Sequence, residues 1–141
     1  MIGDLRALAI LAVAATSVSV SPGTVAAQSR TAIHFEHGND NGAARGAITG
    51  KEYADYVLGA QKGQTMSVAI AIDSTDGDGT IYFNILPPES DNVAIFNGST
   101  SGDFGSIKLP QSGDYTIRVY LMGNDADTRK TVHYTLSMTI M

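Results

Sequence analysis

The sequence predicts an all-β protein, an antiparallel β-sandwich of about eight or nine short strands with jelly-roll or Greek-key connections. Three observations carry that prediction. Apolar and polar residues alternate at period two in one segment after another. No window beyond residue 27 sustains a helical period, and turn clusters rich in glycine, asparagine and aspartate separate the alternating segments.

The last segment is the cleanest. Over residues 131–140, Val132, Tyr134, Leu136, Met138 and Ile140 alternate with Thr131, His133, Thr135, Ser137 and Thr139. One apolar and one hydrophilic face is what an antiparallel sheet with one wet side requires. Residues 113–122 repeat the pattern, with Tyr115, Ile117, Val119 and Leu121 opposite Thr116, Arg118, Tyr120 and Met122. Residues 64–73 place Met66, Val68, Ile70 and Ile72 on one face. Further strands are predicted over 32–37, 44–49, 53–60, 79–86, 93–96 and 104–109. The turns between them read "HGNDNG", "GAQKGQ", "DSTDGDG", "LPPESDN", "NGSTSGD" and "LPQSGD". No repeat, linker or low-complexity tract breaks this region, so it forms one domain.

Residues 1–27 read as a cleaved signal peptide. Arg6 and the N-terminal amine supply positive charge, and "ALAILAVAA" at 7–15 is apolar but too short to anchor in a bilayer. "VAA" at 25–27 offers the small residues a signal peptidase needs, which places cleavage after Ala27 and the folded domain at 28–141. No cysteine follows, which excludes a lipid anchor, and the mature protein is expected to leave the cytoplasm. The chain has no cysteine at all, so thiolate catalysis, thiolate metal ligation and disulfides are excluded. A domain of this size buries about two-thirds of its unfolded surface and folds without such staples.

The net charge is −5, and the leader's Asp4 and Arg6 cancel, so the mature chain keeps it. Nucleic acid and anionic membrane surfaces need a basic footprint, and both are excluded as partners. A basic protein partner would be steered toward such a surface.

Catalytic constellations fail on inspection. Asp73, Asp76 and Asp78 in "DSTDGDG" are hard oxygen ligands, but a helix-flanked calcium loop carries glutamate at its twelfth position, and here that residue is Asn84. "FNGSTSGDFG" centres on Thr100 where a nucleophile elbow needs serine between a strand and a helix. His34, His37 and His133 all fall in strand patterns, and Lys62–Gly63 sits in a hairpin turn rather than a phosphate loop. The residues describe a binding or structural module, with no enzyme activity, cofactor or metal site.

From Ile48 onward the segments "ITGKEYADYVLGAQKGQTMSV", "IYFNILPP", "LPQSGDYTIRVYLM", "NDAD" and "YTLSMTI" resemble the periplasmic inhibitors of g-type lysozyme. More broadly they are similar to the pre-peptidase C-terminal β-sandwich modules. The likeness spans residues 34–140. It implies a small exported protein without enzymatic activity that blocks the cleft of g-type lysozyme. It also implies that the S-G-x-Y turn, here Ser112, Gly113, Asp114 and Tyr115, enters that cleft. Arg118 and Arg129 are then the candidates to pair with cleft carboxylates, and Asn124 and Asp125 hold the neighbouring loop. Gly123 stands where the family tends to carry arginine. Two alternatives stay open at this level. The turn is also a common sandwich corner, with Tyr115 packing inward by its parity. The module would otherwise bind glycan or another envelope protein, with Tyr120 as the exposed aromatic.

Overall fold

The computed structural model describes residues 28–35, 40–90 and 93–141. The expected signal peptide at 1–27 and His37 lie outside them.

The described residues form nine strands and two short helices in the order β1 (Gln28–Ala32), β2 (Asn41–Thr49), β3 (Tyr53–Ala60), β4 (Thr65–Thr75), β5 (Ile81–Leu86), β6 (Phe96–Asn97), α1 (Gly98–Ser101), β7 (Phe104–Lys108), β8 (Gly113–Leu121), α2 (Gly123–Asp127) and β9 (Thr131–Ile140). They form a five-stranded sheet, β1-β3-β8-β5-β6, and a four-stranded sheet, β2-β9-β4-β7. All pairings are antiparallel except β1 with β3, which is parallel.

The alternating residues become the two inner faces. Tyr56, Leu58, Phe83, Ile85, Tyr115, Ile117 and Val119 face Met66, Val68, Val132, Tyr134, Leu136 and Met138, all buried. Each such side chain contributes roughly 1.5–3 kcal/mol on leaving water. The two core tyrosines solve each other's polar problem. Tyr56 and Tyr134 share a hydroxyl–hydroxyl hydrogen bond of 2.6 Å with rings edge to face. Burial, with Tyr56 beside it, pushes the Tyr134 phenol far above its ordinary range.

The structure corrects several boundaries, with β2 beginning at Asn41 and β5 at Ile81. The first strand is Gln28–Ala32, not 32–37; its five side chains are all exposed, so it carries no alternation to read. Ile33 and Phe35 pack against the core from a non-strand segment. The strand expected over 93–96 is Phe96–Asn97, and the following turn winds into α1, where the Asn97 side chain accepts the Ser99 N–H at 3.2 Å. The loop "GNDADTRK" holds α2.

Candidate protein-binding surface

The residues singled out in the sequence lie along β8 and its two flanking loops, in three places. The head of β8 is a stapled turn. Leu109 donates its N–H to Gln64 O at 2.7 Å and accepts the Gly63 N–H at 2.9 Å. Ser112 is exposed, and its Oγ accepts the Lys62 N–H at 2.9 Å. Because Ser112 accepts here, its own O–H is left to donate outward. Gly113 has φ 145°, and a Cβ there would meet Pro88 Cγ at 2.8 Å. Close approach and positive φ together require glycine.

Tyr115 secures this turn from inside. It is fully buried; its hydroxyl donates to Gln111 O at 2.6 Å and accepts the Gln111 N–H at 3.2 Å. This is a tyrosine corner. Its side chain has no surface to offer a partner, so it acts through the loop it holds. Gln111 Nε2 in turn donates to Pro88 O at 3.4 Å, which ties the turn to the 87–90 loop.

Midway along β8, Arg118 sits on the outer face of the five-stranded sheet. Its Nε donates to Asp55 Oδ1 at 2.8 Å and its Nη2 to Asp55 Oδ2 at 3.0 Å, while the guanidinium lies 4.7 Å above the Tyr53 ring. Gln28 Nε2 adds a third donor to Asp55 at 2.9 Å. The Asp55 side chain is 0% exposed and that of Arg118 26%. Removing one partner of such a pair costs about 3–5 kcal/mol, because the other charge is stranded. The first duty of Arg118 is therefore internal. Sequence reasoning missed Asp55, since nothing but the β3–β8 register, Asp55 opposite Arg118, brings the two together.

Ser112, Gly113, Asp114, Glu89, Asp55 and Arg118 border one groove of ≈ 430 Å³. The other predicted residues are elsewhere. β8 runs from Gly113 to Leu121, and at about 3.3 Å per residue that puts α2 roughly 26 Å from the Ser112 turn. Asn124 is exposed, and its carbonyl accepts both the N–H and Oγ1–H of Thr128. Asp125 is 0% exposed and accepts the N–H groups of Asp78 at 2.9 Å and Thr80 at 2.7 Å. The backbone donors of Thr80 and Asp78 hold its carboxyl below the usual carboxylate range. Arg129 is exposed, at φ 55°, and closes α2 where the Lys130 N–H reaches Asp125 O at 2.9 Å.

The aspartate-rich segment begins at the end of β4, which takes in Asp73, and its own side chains join it to the sheet. Asp73 accepts the Thr135 hydroxyl at 2.8 Å, and Asp76 accepts the Thr131 N–H at 2.8 Å. Among the described residues no three acidic or histidine side chains stand close enough to share a metal ion. His34 and His133 are exposed.

No family model matches the sequence. The chain is 31% identical over 140 residues to the inhibitor of g-type lysozyme of Escherichia coli (strain K12), covering 99% of this chain and 98% of that protein. It is similar to the crystal structure of Aeromonas hydrophila PliG, a periplasmic lysozyme inhibitor of g-type lysozyme. That match has a TM-score of 0.74 and 28% identity, over 83% of this chain and 100% of the other. A PliG mutant from Escherichia coli matches with a TM-score of 0.64 and 27% identity, over 82% and 100% of the two chains. The pre-peptidase C-terminal domain of a Bacillus anthracis collagenase has a TM-score of 0.51 at 12% identity and shares the fold alone.

Proposed function

From the premise that the chain belongs to the family of inhibitors of g-type lysozyme, we propose that it is an exported, periplasmic protein that binds such a lysozyme and occludes its cleft through the Ser112–Gly113 turn. It is an inhibitor and not an enzyme. The observation that carries the docking end is the stapled turn itself. An exposed hydroxyl and a glycine tip are fixed to two neighbouring loops before any partner arrives. Blocking a preformed cleft rewards a rigid insert, because no ordering cost is met on binding. Ser112 supplies an outward donor and Gly113 lets the backbone come close. Tyr115 and Asp125 hold loops, and Arg118 holds Asp55 while its exposed side forms one wall of the groove.

The test is a cell-wall lysis assay with g-type lysozyme and the purified 28–141 domain, with c-type and i-type lysozymes alongside. Saturable block of the g-type enzyme is expected. Ser112→Ala should weaken it by about five- to tenfold, the worth of one hydrogen bond, and Ser112→Arg should remove it by bulk; each also gives up the Lys62 contact, so melting should fall by a few degrees at most. Full inhibition by Ser112→Arg would move the docking surface elsewhere on the protein.

A further inference from the structure

Two non-glycine residues among those described adopt positive φ, Arg129 and Glu89. Glu89 has φ 64° and sits third in the tight turn 87–90, closed by the Ser90 N–H donating to Pro87 O at 3.2 Å. Proline second and a positive φ third is the pattern of a type II turn, whose third position favours glycine. A glutamate there is strained, and strain of this kind concentrates where a side chain must be presented in a fixed direction.

The place of this turn gives the strain a use. Pro88 packs against Gly113 and its carbonyl accepts from Gln111, so the 87–90 turn and the Ser112 turn form one body. Glu89 is exposed and borders the same groove as Ser112, Gly113 and Asp114, which Arg30 and Arg118 also line. Among the described residues, no cation stands within ion-pair distance of its carboxylate. It is an acidic group in the lining of the proposed docking surface, on a protein of net charge −5.

We infer that Glu89 is a second contact and specificity-determining residue, which pairs with a cationic side chain on the rim of the lysozyme cleft while Ser112 and Gly113 fill it. This rests on the proposed function and deepens it. The carboxylate steers the encounter and selects lysozymes whose cleft rim is basic at that point.

Inhibition constants and melting temperatures of the wild type, Glu89→Gly, Glu89→Gln and Glu89→Lys decide the matter, measured at low and at physiological salt. Glu89→Gly should melt at the same or a higher temperature, since glycine relieves the backbone, yet inhibit about tenfold more weakly at low salt. Glu89→Gln should lose the same factor with unchanged melting, and Glu89→Lys more still. The difference from wild type should shrink as salt rises. Inhibition by the Gly and Gln variants within twofold of wild type at low salt, while Ser112→Arg abolishes it, would overturn the role of Glu89 and leave the proposed function standing. A wild-type protein without effect on lysis would overturn both.

Discussion

Gly113 shows how much of the proposed surface depends on one missing side chain. Its φ of 145° and the 2.8 Å approach of Pro88 Cγ mean that even a methyl group must displace either the proline or the turn. Gly113→Ala should therefore destabilise the domain by about 1–3 kcal/mol and disconnect the 87–90 turn from the Ser112 turn. The loss of inhibition should exceed what the fraction unfolded explains. Chemical denaturation and lysis inhibition on the same preparation check this; full inhibition with reduced stability would make the glycine purely structural. The motif around it was legible, because Ser-Gly-x-Tyr is written in consecutive residues. What Gly113 touches was not, since Pro88 lies far away in the chain and only the β5–β8 pairing makes them neighbours. Glu89 was hidden for the same reason, its backbone conformation leaving no trace in residue type.

At the scale of elements, alternation exposed every strand with one face in the core, and failed where that condition lapsed. β8 and β9 read directly because each has one buried and one hydrophilic face. β1 has no buried face and is held by edge pairing with β3, so no pattern marks it. Helix α2 is too short for a period to show. Its anchor is Asp125, which reaches back to the segment before β5 and accepts from Asp78 and Thr80. Because those backbone donors lower its folded-state pKa beneath the ordinary aspartate value, its contribution is fully present above the unfolded value. It is lost as pH falls through the folded one. Wild-type melting temperature should drop below about pH 4 more steeply than that of Asp125→Asn. The variant, less stable at neutral pH, should show a flatter acid limb. Parallel profiles for the two would mean that the carboxylate's charge is irrelevant to the joint.

At the scale of the molecule, β8 works as a strut that sets two loop clusters at opposite ends of the sandwich, roughly 26 Å apart. The sequence presents Ser112, Gly113, Arg118, Asn124 and Arg129 within one short stretch, and proximity in sequence suggests a shared surface. A strand converts that proximity into separation. One cleft filled by the Ser112 turn cannot also be filled by α2, so the two ends should answer independently to substitution. Arg129 offers the cleanest probe of the far end. It holds φ 55° at a helix-terminating position where glycine is preferred, and it packs beside Gly50. Arg129→Gly should raise stability by roughly 0.5–1 kcal/mol, a shift of a few degrees in melting temperature, and leave inhibition within about twofold. A rise in melting temperature accompanied by a tenfold loss of inhibition would place the lysozyme at the α2 end. The Ser112 turn would then be a corner of the sandwich and nothing more.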